Sequence, residues 1–176
     1  MKRFFIMMGF IIILLEKTIV HAACGLNIDP ANPLGFPTPE SIKGIGWVRI
    51  EFKDCTSSND PSDPAYRLDS SIATYAEIIN GYKSVGINTI LIIDYMRYHS
   101  ATENPEGFGI RAGLIAQGLG ANGIVYQIWN EPDIWQGGNL SPQEYSTLLT
   151  NAATQIKATS GAQVITAGFA SGQASY

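Results

Sequence analysis

Short apolar runs alternating with longer stretches of helical periodicity predict an α/β fold built on a parallel sheet. Three observations carry this reading. Thr89-Ile-Leu-Ile-Ile-Asp-Tyr95 is almost wholly β-branched and apolar, as a strand covered on both faces requires. Ile72, Tyr75, Ile79 and Tyr82 recur at helical spacing between that run and the apolar run before it. Polar residues gather at the C-terminal ends of several runs, including Asp94-Tyr95 and Asn130-Glu131. Strands joined through helices enter a sheet in parallel by right-handed crossovers. The rhythm alone fits either an open doubly wound sheet or part of a (β/α)8 barrel. The polar strand ends favour the barrel, whose sites lie at that rim.

The elements follow in order. Gly25 to Asp29 is a weak first strand leading into a Pro-rich loop. Thr38 to Gly44 reads as a short helix, with Thr38 as cap, Pro39 in the first turn and Glu40 favoured by the dipole. Trp47 to Phe52 is the second strand: Val48, Ile50 and Phe52 point one way, Trp47, Arg49 and Glu51 the other. An Asn/Asp/Ser/Pro loop at 54–64 precedes a helix over Ser70 to Ser84, stopped at Gly86, and the strand Thr89 to Tyr95 follows. A helix over Phe108 to Leu119 leads to the strand Ile124 to Glu131, which Pro132 must stop because it has no N–H to give a ladder. Ser141-Pro-Gln-Glu144 is a capping box opening a helix that ends at Gly161. Its apolar face is Tyr145, Leu148, Leu149, Ala152, Ala153 and Ile156, and Gln163 to Phe169 is the fifth strand.

Residues 1–22 read as a secretory signal peptide: Lys2 and Arg3 precede the uncharged apolar run Phe4 to Leu15, and Val20-His21-Ala22 supplies small residues for cleavage. An uncleaved anchor is the competing reading, since Glu16 and Lys17 sit close behind the apolar run. Residues 23–176 then form one extracellular domain. In an oxidising compartment Cys24 and Cys55 are expected to form a disulfide, closing a loop of about 30 residues and adding about 3 kcal/mol; two unpaired thiols are the alternative. The 176-residue chain carries a net charge of −4 with 45% hydrophobic and 15% charged residues. No basic stripe exists to neutralise phosphates, which argues against nucleic acid and for a neutral, hydroxyl-rich partner. No Gly-rich phosphate loop follows a strand, no His, Cys or carboxylate pair has metal-ligand spacing, and no serine sits in a nucleophile elbow. No cofactor is implied.

Tyr126-Gln-Ile-Trp-Asn-Glu-Pro-Asp133 carries the most chemistry. A carboxyl fixed at the mouth of a rigid strand, beside an aromatic ring and an amide, suits proton donation to a polar substrate. Strand alternation places Glu131 with Gln127 and Trp129, and Tyr126, Ile128 and Asn130 on the other side. Trp129-Asn130-Glu131-Pro132 after a strand resembles the acid/base segment of the clan A glycoside hydrolases, retaining glycosidases that include families 5 and 39. The resemblance covers residues 24–170 and implies an incomplete TIM (β/α)8 barrel of about five units.

By that resemblance Glu131 matches the general acid/base and Asn130 the amide that binds the sugar 2-hydroxyl. Arg49 matches the arginine that supports the nucleophile carboxylate. As a bare sequence, Arg49 could equally form an ion pair with Glu51 or a cross-strand carboxylate. Trp135 is the better residue for stacking on a sugar ring, with Trp129 as core, and Tyr95 is one of several polar residues expected to line the cleft. The resemblance puts the nucleophile on a seventh strand, which this sequence does not contain. A full barrel takes about 250 residues, so the expectation is a fragment of a longer glycosidase acting on a β-linked glycan. A binding remnant without turnover, or a module that self-associates through open strand edges, are the rival expectations.

Overall fold

In the computed structural model, described for residues 24–29, 31–53, 68–94 and 101–170, five strands form one parallel sheet in the order β1-β2-β3-β4-β5. These are β1 (Gly25–Asn27), β2 (Trp47–Glu51), β3 (Asn88–Ile93), β4 (Ile124–Ile128) and β5 (Gln163–Ile165). Helices α1 (Leu68–Ser84), α2 (Pro105–Leu119) and α3 (Pro142–Ser160) precede β3, β4 and β5. Between β1 and β2 the crossover is only a 3₁₀ turn, Pro39–Ile42, in place of the expected helix; Thr38 makes no side-chain capping bond there. Sequential strand order with helical crossovers is that of a partial (β/α) barrel. The expected signal peptide, Cys55, and the loop at 54–64 lie outside the described residues.

The helices cover one face of the sheet. Val48, Ile50, Leu91, Ile93, Tyr126 and Ile128 point to that side and are buried, together with Tyr75 and Ile79 of α1, Phe108 and Ile115 of α2, and Leu148 and Ile156 of α3. α3 begins as the sequence predicts: Glu144 Oε2 accepts from Ser141 N–H at 2.7 Å, and the Ser141 hydroxyl accepts from Glu144 N–H. α2 begins earlier than apolar periodicity suggested, because Asn104 Oδ1 accepts from Gly107 N–H at 2.9 Å and Pro105 fills the first turn. α2 and α3 approach closely at Gly109, where an added Cβ would lie 2.9 Å from the Asn151 backbone carbon.

Two tyrosines tie strand ends to the following helices. Tyr75 of α1 donates its hydroxyl to Glu51 O at 2.6 Å and accepts from Lys53 N–H at 2.7 Å, closing the end of β2. Tyr145 of α3 donates to Ile128 O at 3.2 Å and accepts from Ala167 N–H at 2.6 Å, bracing the ends of β4 and β5 together.

The other sheet face is the lumen of the incomplete barrel. Register places Asn27, Arg49, Ile90 and Val125 in one layer and Glu51, Ile92, Gln127 and Ile165 in the next. β1 is exposed at all three residues and Ile165 of β5 is 40% exposed, so among the described residues both sheet edges are open. Asp94, just past β3, is 7% exposed. Burial first, and then the charge of Glu51, push its carboxyl up to about 8, an effect that Arg49 only partly offsets.

Two outcomes follow. Gly109→Ala forces a methyl into the α2–α3 seam and lowers stability by about 1–3 kcal/mol, read as a lower urea midpoint; an unchanged midpoint contradicts the packing. For Asp94, the folded protein keeps a proton up to about pH 8 that the unfolded chain releases near 3.8. Folding therefore takes up a proton in that window, and stability declines as pH rises through it, by at most about 1.4 kcal/mol per unit. Asp94→Asn flattens this decline in urea unfolding compared at pH 5 and pH 8; identical slopes in the two proteins would exclude the buried acid.

Candidate functional site

The site is made where β4 stops. The ladder ends at Ile128 rather than at Glu131, because Trp129 and Glu131 adopt left-handed backbone conformations, with φ of 71° and 47°. Such residues cost on the order of 1–3 kcal/mol each and persist only when neighbours hold them. Here they are held on several sides. Trp129 N–H donates to Ile93 O at 2.8 Å, its indole Nε1–H donates to Gly137 O at 2.7 Å, and its ring meets Phe108 edge-on at 5.7 Å. Glu131 N–H donates to Gly168 O at 2.9 Å and its carbonyl accepts from Ile134 N–H at 3.3 Å. An added Cβ on Gly137 would overlap the Glu131 carbonyl, so the turn Trp135–Gly137 can fold against the motif only with glycine there.

This double reversal corrects the pleat-based reading. Trp129 turns into the helix layer and is 3% exposed, away from Gln127. Asn130, expected beside Tyr126 and Ile128, instead joins Gln127 on the lumen side, where both contact Arg49. Simple alternation fails because it assumes extended backbone through residue 131.

Arg49 is the hub. Its Nη1 donates to Asn27 Oδ1 at 2.8 Å, its Nε to Gln127 Oε1 at 2.9 Å and its Nη2 to Asn130 Oδ1 at 2.8 Å. The Arg49–Glu51 ion pair that the bare sequence allowed is not formed, and among the described residues no carboxylate pairs directly with the guanidinium. Burial lowers the Arg49 pKa, opposed by the charges of Asp94, Glu131 and Glu51 in that order. The Glu131 carboxyl is thus on the same rim as the guanidinium, half-buried beside Asn130. Because a guanidinium only donates, Asn130 must turn its oxygen to Arg49 and its NH2 group elsewhere. The rim therefore offers a carboxyl and an amide N–H pair side by side.

The remaining expected residues divide. Trp135 stands 78% exposed on the 3₁₀ turn after the motif, with its ring free to meet a ligand. Tyr95 and Cys55 lie outside the described residues, so the Cys24–Cys55 disulfide stays an expectation; Cys24 itself is exposed at the head of β1. Among the described residues no group of His, Cys, Asp or Glu is arranged to hold a metal ion. Sequence reasoning passed over Asn27, Gln127 and Gly137. The signal for the first two is Arg49 itself, since an inward arginine obliges acceptors on the strands within its reach. A small hollow of about 30 Å³ lies on the opposite, helix-covered side between the Leu34–Phe36 loop and Tyr75, Ile78 and Tyr82 of α1; Glu131 and Asn130 are not among its lining residues.

No protein-family model matches the sequence, and no curated protein does. Solved structures do. Cel5A of Thermotoga maritima, determined in complex with mannotriose, is similar over 86% of this chain and 53% of its own, with TM-score 0.65 at 22% identity. A hyperthermophilic endo-β-1,4-glucanase in complex with substrate aligns over 81% of this chain and 50% of its own, with TM-score 0.60 at 17% identity. A family 39 glycoside hydrolase from Bacteroides cellulosilyticus aligns over 82% of this chain and 31% of its own, with TM-score 0.55 at 15% identity. The chain thus spans about half or less of each neighbour's length. At these identities the likeness is one of fold, and the fold shared with these glycoside hydrolases is part of a (β/α) barrel.

Proposed function

We propose that this chain carries the acid/base half of a retaining glycosidase site acting on a β-linked glycan, with Glu131 as general acid and then general base. The carrying observation is the 2.8 Å bond from Arg49 Nη2 to Asn130 Oδ1, which pins the amide beside Glu131 at the C-terminal rim of a parallel sheet. In the proposed reaction Glu131 protonates the departing glycosidic oxygen, and the Asn130 NH2 group donates to the oxygen of the sugar 2-hydroxyl, a contact that tightens in the transition state. Trp135 offers an aromatic face to a neighbouring sugar ring.

Retention needs a second, ionised carboxylate about 5–5.5 Å from the acid. Asp94, the other carboxyl buried at the rim, keeps its proton up to about pH 8 and is a poor nucleophile at neutral pH. Glu51 stands in the layer of Gln127, below the rim. We assign the nucleophile to strands that complete the barrel, where it would meet the Arg49 N–H groups that Asn27, Gln127 and Asn130 leave unused. That no ionised rim partner stands among the described residues favours one alternative, a site that binds glycan without cleaving it.

Reducing-sugar release from β-glucan, mannan and xylan, paired with calorimetric titration of β-1,4-linked trisaccharides, separates these readings. Glu131→Gln is expected to retain binding and to lower turnover by about 100-fold or more. Unchanged turnover in that variant would remove Glu131 from the reaction, and binding with no turnover in the parent chain would favour the binding site. Trp135→Ala is expected to weaken trisaccharide binding about three- to tenfold, the size of an aromatic contact of 0.5–1.5 kcal/mol; equal affinity would take Trp135 out of the site.

A further inference from the structure

Gln127 is 4% exposed and commits the two ends of its amide to different parts of the site. Its Oε1 accepts from Arg49 Nε at 2.9 Å, and its Nε2 donates to the Trp129 carbonyl at 2.8 Å. The direction of these bonds is forced. A guanidinium has no acceptor, so the oxygen of Gln127 must face Arg49 and its nitrogen must face Trp129. Trp129 is the first left-handed residue past β4, and its carbonyl belongs to the peptide that carries Asn130. Asn130 returns to the same guanidinium through Nη2. Arg49, Gln127, the Trp129–Asn130 peptide and the Asn130 side chain therefore close a ring of hydrogen bonds and covalent links around the end of the strand.

We propose that Gln127 is a positioning residue that couples the Arg49 guanidinium to the left-handed turn at Trp129, and so sets the orientation of the Asn130 NH2 group beside Glu131. Its role depends on an amide, with one acceptor and one donor, and not on filling space. A carboxylate at position 127 would keep the bond to Arg49 but set an oxygen against the Trp129 carbonyl, and an apolar side chain would lose both bonds. The coupling stands on the hydrogen bonds alone; only its use on a sugar rests on the glycosidase reading.

The test is ¹H–¹⁵N NMR on the full 176-residue chain, following Arg49 Nε–H, the Asn130 NH2 pair and the Trp129 indole N–H in Gln127→Glu, Gln127→Met and the parent protein. In Gln127→Glu, Arg49 Nε–H is expected to keep its slow exchange while Asn130 NH2 exchange speeds at least tenfold and the Trp129 indole signal shifts. In Gln127→Met both Arg49 Nε–H and Asn130 NH2 should exchange faster. Unchanged Asn130 and Trp129 signals in folded Gln127→Glu would overturn the coupling, whatever Gln127→Met does. If Gln127→Met fails to fold, Gln127→Glu decides alone; if both fail, exchange in the parent protein decides. Arg49 Nε–H and Asn130 NH2 protected to the same extent and released together on adding urea support the ring, and independent release overturns it. Calorimetric titration with β-1,4-mannotriose then asks a separate question. Absence of binding by the parent protein counts against the glycosidase reading and leaves the NMR result to judge Gln127.

Discussion

The architecture of the site depends on one chemical restriction: a guanidinium gives hydrogen bonds and accepts none. Arg49 sits on β2, half-buried and partly stripped of water, so its N–H groups must find oxygen atoms. It finds them on β1 through Asn27, on β4 through Gln127, and just past β4 through Asn130. β2 and β4 are two strand spacings apart, about 10 Å, and the side chains meet over Ile90 and Ile92 on the face a barrel turns inward. Every amide that touches Arg49 is thereby oriented without ambiguity. Three neutral amides around one cation also leave the positive charge uncompensated by direct contact, which is how a cation remains available to a later carboxylate.

Around this polar ring the fold supplies stiffness from the other side of the sheet. Tyr75 and Tyr145 each reach from a helix to the end of a strand and use the hydroxyl both as donor and acceptor. The pair brackets the rim: one holds the end of β2, from which Arg49 projects, and the other holds the end of β4, from which Asn130 and Glu131 emerge. Burying a tyrosine ring supplies apolar contact, while the hydroxyl satisfies backbone groups that would otherwise be orphaned where the ladder stops. The left-handed residues at 129 and 131 are tolerable because this frame, the Phe108 ring and the Gly168 carbonyl leave them little room to relax.

Much of this was legible in the residues and some was not. The strand–helix order, the inward face of Arg49 and the capping box at Ser141 follow from periodicity and local hydrogen bonding, which act over a few residues and leave clear marks. Apolar periodicity places the start of α2 too late, because Asn104-Pro105 signals a cap and first turn without an apolar residue to announce them. Strand alternation puts Trp129 and Asn130 on the wrong faces, although Trp129 is core, as its ring suggests. That error has a physical source: backbone handedness at 129 and 131 is decided by partners distant in sequence, Ile93, Gly137 and Gly168, and no pattern within the strand encodes it. Gln127 was assigned to the correct face, yet its work as a two-ended linker emerges only when Arg49 and Trp129 are seen together.

Gly137 has a reach beyond its own turn. Where the carbonyl of residue 131 passes, position 137 has room for a hydrogen atom and nothing larger. Drift in the surrounding loop can alter the solvent-facing Gln136 without disturbing the turn, while this position is closed to every other amino acid unless the carboxyl-bearing turn itself is rebuilt. For diverged sequences in which the tryptophan or the asparagine has been replaced, an isolated glycine at this offset from a glutamate would therefore be a more durable fingerprint of the rim than the aromatic and amide letters beside it.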